Sequence, residues 1–223
     1  MASLDRRCRV TASRYGRSVS EQTATPKLTD QFSKALVYAE LKHHAQVRKG
    51  GDIPYIGHLL SVAGLVINDG GSEAQAIAAL LHDAVEDQGG PPTLEEIRTN
   101  FGDDVARIVA ECSDTDEQPK PPWLDRKRKY IDHLADVGID TLLVSVADKL
   151  DNARSMLRDY HEHGPKLWER FNRKNPHDHL WYYDSLLGAY REHGLDSWMV
   201  DELGRVVGEL KRLVEGGDRA VVV

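Results

Sequence analysis

The chain has 223 residues, of which 40% are hydrophobic and 29% charged, and its formal net charge is -7. This length suits one domain with a sizeable core, and no apolar run approaches the roughly 20 residues that span a bilayer, which excludes a membrane protein. An acidic body repels nucleic-acid backbones, so we expect no DNA or RNA partner. Cys8 and Cys112 form no CxxC pair, which favours a reducing compartment and a cytoplasmic protein.

The first 20 residues differ from the rest because they carry five arginines and a single acid, Asp5. A segment rich in Arg, Ser and Thr has the composition of an organelle transit peptide, but also that of a disordered tail, which we favour. We therefore predict a disordered leader over residues 1–25, one folded domain over 26–215 and a tail over 216–223.

Helical spacing of apolar residues begins at Thr29, which with Asp30 is a candidate cap, and stops before the Gly-Gly pair at 50–51. The β-branched run at 141–146 continues unbroken into the residues after it, so we predict helix there as well. A loop with three prolines covers 114–122. Ser72 is the candidate cap of a helix over 73–87, and a capping box at 93–96 opens a short helix. The other predicted helices cover about 55–68, 103–112, 123–136, 139–160, 177–193 and 195–214. The predicted class is all-α.

The most informative segment covers residues 76–87. Its first six residues are apolar on every side, which is typical of a helix buried all round. His82, Asp83, Glu86 and Asp87 follow at helical spacing, so we expect the four side chains to share one broad face. Because buried carboxylates are costly without a cation or hydrogen bonds, and no basic run lies beside them, this pattern indicates a bound metal.

Two other segments repeat the same arrangement. An apolar run at 142–147 leads directly to Asp148, and His58 lies in the first turn of the helix that follows Pro54. Taken singly, a histidine such as His58 is more often a core residue than a ligand, and Asp148 is as often a structural ion pair. The three segments together, in this order, favour a metal site.

His58, the His82-Asp83 pair and Asp148 resemble the H…HD…D signature of the HD superfamily. The surrounding residues are similar to motifs of the Rel/SpoT-type hydrolase domain. The matching segments are 48–49 with 54–58 (RK…PYxxH), 82–87 (HDxVED), 93–97 with 101–102 (TLEEI…FG) and 146–152 (LADRLHN). The similarity covers roughly residues 30–195 and is closest to the stand-alone small alarmone hydrolases.

This resemblance implies a compact multi-helix HD-domain bundle over residues 26–215 that hydrolyses (p)ppGpp to GDP or GTP and pyrophosphate. It also implies one Mn²⁺ ion held by His58, His82, Asp83 and Asp148. The chain departs from the family pattern at Leu59, Lys149 and Asp151, where proline, arginine and histidine are usual. None of these departures removes a ligand.

Charge decides how the remaining acids are assigned. Two neutral imidazoles and two carboxylates balance a divalent ion, whereas adding Glu86 and Asp87 as ligands would leave the centre at -2 and repel an anionic substrate. We therefore assign Glu86 and Asp87 to catalysis, where they orient and deprotonate the attacking water and return the proton to the leaving group.

A polyanionic substrate needs local cations on an acidic protein. The resemblance places Arg48 and Lys49 against the guanine ring and phosphates. Asn152, one helical turn after Asp148, is a candidate for contacts with ribose or base. Related hydrolases use an aromatic residue near this place to contact the nucleotide, which makes Tyr182 the candidate in this chain. Lys149 and Arg154 are more simply explained as solvated helix cations.

Other residues are expected to have structural or surface positions rather than roles in the site. We expect His43 to be structural, His44 to be exposed and Trp181 to pack in the core. The late histidines are expected to lie on the surface: His161, His163, His177 and His179.

Two alternatives stay open. The same metal site would serve an HD-type enzyme that acts on another nucleotide, such as NADPH or a deoxynucleotide. A catalytically silent nucleotide sensor is the alternative from a different class. In each case the partner is a small-molecule nucleotide, and the sequence leaves open whether the chain forms a homo-oligomer.

Overall fold

The structure is a computed structural model that describes residues 28–115 and 119–220, with side chains as far as residue 216. The predicted leader at 1–25 lies outside the described residues, and so do the last three residues of the predicted tail at 216–223, whereas 216–220 continue the last helix instead of forming a tail. Within the described part of the chain, ten α-helices and one 3-10 helix account for the regular structure, and the only extended pairing is an isolated bridge between Val47 and Pro54. The all-α class is confirmed.

The α-helices follow the predicted order closely. They are α1 (Asp30–His43), α2 (Ile56–Asn68), α3 (Glu73–Leu81), α4 (Ala84–Asp87), α5 (Pro91–Phe101), α6 (Asp103–Cys112), α7 (Trp123–His133), α8 (Ile139–His163), α9 (Pro176–Glu192) and α10 (Trp198–Ala220). The 3-10 helix, Gly164–Arg170, links α8 to α9 and was not predicted. None of the helices in the described residues is long and apolar enough to cross a membrane.

Helix α8 is the centre of the bundle. It packs against α2, α3, α6, α9, α10 and the 3-10 helix. Its residues from Thr141 to Asp148 are all buried, which explains why the β-branched run there forms a helix: tertiary packing on every side outweighs a weak local preference for strand. Helix α3 is likewise buried from Ala76 to Leu81. The polar residues that follow these two apolar runs therefore lie in the interior of the bundle.

The helix starts are explained by ordinary capping. Thr29 rather than Asp30 caps α1, because its side chain accepts from the backbone N–H of Gln31. Ser72 forms a capping box with Gln75 at the start of α3. The capping box predicted at 93–96 is wrong: α5 begins at Pro91, so Thr93 lies inside the helix and its hydroxyl donates to the carbonyl of Gln88 instead. Proline fits the first helical positions because its fixed φ suits the helix and it lacks an N–H that would be unpaired.

The single helix predicted over 73–87 is divided. Helix α3 ends at Leu81, His82 and Asp83 form a turn, and α4 is one short turn from Ala84 to Asp87. His82 and Asp83 therefore lie at a junction between helices. This break separates the pair from Glu86 and Asp87, which follow on the next turn.

Candidate metal centre and substrate cavity

Three separate segments bring four predicted ligands together. His58 lies in the first turn of α2, His82 and Asp83 lie between α3 and α4, and Asp148 lies in the middle of α8. The Nε2 atom of His58 is 3.2 Å from Asp148 Oδ1 and 3.6 Å from Asp83 Oδ2. The Nε2 atom of His82 is 3.1 Å from Asp83 Oδ2 and 3.5 Å from Asp148 Oδ1. The donor atoms of His58, His82 and Asp148 thus lie within 4.8 Å of one another, and Asp83 lies beside both imidazoles.

The donor atoms of the two imidazoles fit a metal ion. Both Nε2 atoms are buried and have no hydrogen-bond partner among the described residues. His82 Nδ1 lies 2.8 Å from the carbonyl oxygen of Ala79, which only accepts hydrogen bonds, so this nitrogen carries the proton. In the neutral ring Nε2 then has a free lone pair that points toward the carboxylates. A divalent cation is the partner that such an arrangement lacks.

Electrostatics at this cluster are strongly coupled. Burial by itself disfavours every charged form, but the carboxylates of Asp148, Asp151 and Asp83 beside the ring outweigh it and raise the pKa of His58 to about 9. Despite burial, the charges of Asp83 and Asp148 likewise raise the pKa of His82. The pKa of Asp83 falls well below its usual range beside the two imidazoles, and that of Asp148 does so beside the Lys149 ammonium and the two imidazoles. Protons on the two rings therefore balance the two carboxylates, and a divalent cation that replaces them would release those protons.

Neighbouring side chains hold the two carboxylates. The Tyr55 hydroxyl donates to Asp83 Oδ2 at 2.5 Å. Lys149 Nζ lies 2.6 Å from Asp148 Oδ2, and the amide of Asn152 donates to Asp148 Oδ1. The expectation that Lys149 is a solvated cation is wrong: its ammonium is buried, the charge of Asp148 raises its pKa despite that burial, and it lies over the ring of Tyr130. Arg154 does lie at the surface, where it pairs with Glu202.

The two predicted catalytic acids lie beyond the ligand cluster and have their own partners. Lys120 Nζ is 2.7 Å from Glu86 Oε1 and 4.0 Å from Asp87 Oδ1. Gln46 donates to Asp87 Oδ2 at 2.8 Å. Burial raises the pKa of Asp87, and the charges of Asp83 and Glu86 raise it further, while Gln46 and Lys120 oppose that rise. A carboxylate with a raised pKa is suited to accept a proton near neutral pH.

A cavity of about 660 Å³ connects these groups to the predicted substrate-binding residues. Its lining includes Arg48, Lys49, Asn152 and Tyr182 together with Asp83, Glu86, Asp87 and Asp148. Arg48 donates to Asn152 Oδ1 at 3.0 Å and lies over the ring of Tyr55. The volume is within the usual range for small-molecule sites, roughly 300–1,000 Å³.

Aromatic side chains also line the cavity. Tyr182 is buried, and its hydroxyl has no hydrogen-bond partner in the described part of the chain. His179 also lines the cavity, stacked on Trp168 and bonded through Nε2 to the carbonyl of Arg173, so its expected surface position is wrong. Trp181 is 36% exposed rather than packed in the core, because the side of α9 that faces inward carries Tyr182 and Tyr183.

The other histidines for which burial or exposure was predicted lie where the prediction placed them. His43 is buried, stacks on Tyr55 and bonds to Gln46 through Nδ1. The other members of the group are exposed: His44, His161, His163 and His177.

Sequence reasoning missed several residues of the cavity. Gln46 and Tyr55 lie within or beside the 48–58 motif, and their polar side chains in a segment leading to a ligand were an available signal. Lys120 and Lys127 gave no such signal, because they lie in or after the proline-rich loop and reach the cavity only through the fold. Lys127 is buried between Asp114 and the rings of Trp123 and Tyr182.

Comparison with known proteins places these features in a family. Residues 35–176 match the family model described as HD domain. This range contains the four predicted ligands and both predicted catalytic acids.

Two similar proteins are named for the same hydrolase activity. The chain is 41% identical over 128 residues to the guanosine-3′,5′-bis(diphosphate) 3′-pyrophosphohydrolase MESH1 of Xenopus tropicalis, covering 56% of this chain and 69% of that protein. It is 37% identical over 141 residues to the human MESH1, covering 62% and 74%. It also aligns with a solved structure of a metazoan ortholog of SpoT that hydrolyzes ppGpp, at 28% identity and a TM-score of 0.54, covering 76% of this chain and 98% of that one.

Proposed function

The chain belongs to the HD-domain family, and we propose from this that it hydrolyses guanosine 3′,5′-bis(diphosphate) and its 5′-triphosphate counterpart to GDP or GTP and pyrophosphate. The observation that carries the proposal is the pair of buried, unpartnered imidazole nitrogens facing Asp83 and Asp148 at one end of a nucleotide-sized cavity. The substrate in this proposal is inferred from the names of relatives such as the human MESH1.

His58, His82, Asp83 and Asp148 would hold a divalent cation, for which we propose Mn²⁺. Mixed nitrogen and oxygen donors suit several first-row metals, so the choice of manganese rests on the family resemblance. When bound, such an ion supplies Lewis acidity that polarises a phosphate oxygen and lowers the pKa of an attacking water.

The protein's own residues supply proton transfer. Glu86 and Asp87 lie next to the cluster but make no contact that would require them as ligands, and their side chains are held by Lys120 and Gln46. We assign them to orienting and deprotonating the water and to returning the proton to the leaving 3′-oxygen of the substrate. The raised pKa of Asp87 suits both directions of transfer.

The cationic and aromatic residues of the cavity bind the nucleotide in this proposal. Arg48 is fixed by Asn152 and Tyr55, so its guanidinium is available for stacking on a base or pairing with a phosphate. Lys49 adds a second cation, and Tyr182 presents a buried hydroxyl without a partner. We further propose that the protein acts in the cytoplasm on this small molecule and binds no nucleic acid, which its net charge of -7 supports.

Product analysis tests the function. We expect purified protein with Mn²⁺ to release pyrophosphate from ppGpp and pppGpp faster than it hydrolyses NADPH, dGTP or cyclic di-GMP, as measured by anion-exchange chromatography of the nucleotides. The Asp83→Ala variant should lose both bound metal and turnover, whereas Glu202→Gln, at a surface ion pair, should keep both. Faster turnover of NADPH or dGTP than of ppGpp would contradict the assignment.

A further inference from the structure

His58 is held on the side away from the ligand cluster by a carboxylate. Its Nδ1 lies 2.6 Å from Asp151 Oδ2. The second oxygen of Asp151 accepts a hydrogen bond from the hydroxyl of Ser61. The His58 side chain is 1% exposed and that of Asp151 is 16% exposed, so this chain of three groups lies largely away from solvent.

The direction of these bonds fixes the form of the imidazole. The Asp151 carboxylate only accepts hydrogen bonds, so the proton of a neutral His58 ring resides on Nδ1, and Nε2 is left with its lone pair. Ser61 occupies the other carboxylate oxygen and limits rotation of Asp151. Nε2 is the atom that faces Asp148 and Asp83.

The arrangement follows from packing one turn of α2 against one turn of α8. His58 and Ser61 are three residues apart on α2, and Asp148 and Asp151 are three residues apart on α8, so each pair shares a face of its helix. The same turn of α8 therefore provides a ligand, Asp148, and the group that orients a second ligand, His58.

The two imidazoles are held by different means. His82 Nδ1 bonds to the backbone carbonyl of Ala79, a neutral acceptor that a side-chain substitution leaves in place. His58 relies on the charged side chain of Asp151, at the position where this chain departs from the LADRLHN pattern. A carboxylate bonded to a ligating histidine fixes the ring and increases its donor strength more than a neutral acceptor does.

We propose that Asp151, held by Ser61, is a positioning residue that fixes the ring orientation and tautomer of His58 and so strengthens binding of the divalent cation. This inference rests on the metal centre of the proposed function. Asp151 acts only through His58.

Direct titration of the full chain with Mn²⁺ tests this role. Free Mn²⁺ is counted by its electron paramagnetic resonance signal, which disappears when the ion binds. We expect Asp151→Ala to weaken Mn²⁺ binding about 10–100-fold. Asp151→Asn keeps an oxygen that accepts from Nδ1 and should recover part of that loss, and Ser61→Ala should weaken binding less than Asp151→Ala. The matched control is Asp140→Asn, a carboxylate on the same helix that pairs with Arg107, and it should bind Mn²⁺ as the wild type does.

The outcomes separate this inference from the proposed function. Unchanged Mn²⁺ affinity in Asp151→Ala, or equal losses in Asp151→Ala and Asp140→Asn, would overturn the positioning role. A wild type that binds Mn²⁺ and hydrolyses ppGpp while Asp151→Ala matches it would leave the proposed function intact. A wild type that binds no Mn²⁺ would overturn both. Melting of the metal-free variants shows whether a loss of affinity comes with loss of fold.

Discussion

At the scale of a single residue, the buried carboxylate of Asp148 contacts several residues of the candidate site. Its two oxygens meet Lys149, Asn152 and the imidazoles of His58 and His82. The Lys149 ammonium engages Oδ2, which leaves Oδ1 directed at the ligand cluster. Each of these neighbours is itself held by a second contact, so the charged groups of the site have fixed positions before any ligand binds. Such preorganised charges are what electrostatic catalysis requires.

Replacing Glu86 by Gln tests the division between ligands and catalytic acids. Gln keeps the shape of the side chain and removes its charge, so bound metal should remain while kcat falls by roughly 10²–10⁴. Elemental analysis of the purified variant measures metal content, and a discontinuous assay measures kcat. Metal lost together with activity would mean that Glu86 coordinates the ion.

Lys120 provides a prediction about pH. A base works in its deprotonated form, so the acidic limb of the kcat/KM profile follows the pKa of that base. Burial and the charges of Asp83 and Glu86 raise the pKa of Asp87, and Lys120 opposes that rise. Lys120→Met should therefore move the acidic limb to higher pH at saturating Mn²⁺.

The control for this experiment is Lys211→Met, since Lys211 pairs with Asp184 at the surface. Its profile should coincide with that of the wild type. A limb that stays in place or moves to lower pH in Lys120→Met would show that Asp87 is not the base.

Arg48 tests recognition of the substrate. Charge-assisted contacts are worth about 1.5–3 kcal/mol, so Arg48→Ala should lower kcat/KM for ppGpp roughly 10–150-fold while metal stays bound. The comparison substrate is p-nitrophenyl phosphate, which has no base or second diphosphate to contact. Equal losses on the two substrates would indicate a damaged scaffold, and no loss on either would remove Arg48 from the binding site.

At the scale of the helices, α8 connects the site to the rest of the bundle through a buried polar contact. The Ser145 hydroxyl lies 2.8 Å from the hydroxyl of Tyr130 on α7 and 2.7 Å from that of Tyr190 on α9. All three side chains are buried. One small hydroxyl therefore satisfies two tyrosines and fixes α7 and α9, which bear Lys127 and Tyr182, relative to the ligand-bearing helix.

Removing that hydroxyl should lower stability without affecting the metal. Ser145→Ala leaves two buried tyrosine hydroxyls short of a partner, and we expect the free energy of unfolding to fall by about 1–3 kcal/mol in urea denaturation. The control is Ser113→Ala, because the Ser113 hydroxyl donates only to the backbone carbonyl of Val109. A Ser145→Ala variant as stable as the wild type would show that the tyrosines find other partners.

At the scale of the whole molecule, the bundle places an acidic metal centre and a cationic binding surface at the same cavity. The chain is acidic overall, yet Arg48, Lys49, Lys120 and Lys127 all line this one space. They come from two segments of the chain, one before α2 and one around the start of α7. These local positive charges therefore offset the negative electrostatic field of the whole protein at the place where a polyanion would bind.

The sequence by itself determined the helical class, most helix positions and the set of residues to suspect. Period-3.6 patterns, capping residues and glycine breaks act over a few residues, so they can be recognised in a linear chain. The apolar runs before His82 and Asp148 identified buried polar groups for the same reason. The assignments of ligands, catalytic acids and binding residues remain predictions, although the fold places all of them except His58 and His82 in the lining of one cavity, and those two imidazoles lie against Asp83 and Asp148.

Tertiary structure alone decided which distant side chains meet. His58 and Asp151 are bonded across 93 positions, Arg48 and Asn152 across 104, and Gln46 and Asp87 across 41. It also decided that Lys149 and His179 are buried, contrary to the expectation from sequence. Local patterns report only on neighbours within a turn or two, whereas burial and pairing over such separations depend on how helices pack, and that packing depends on the shapes of all side chains together.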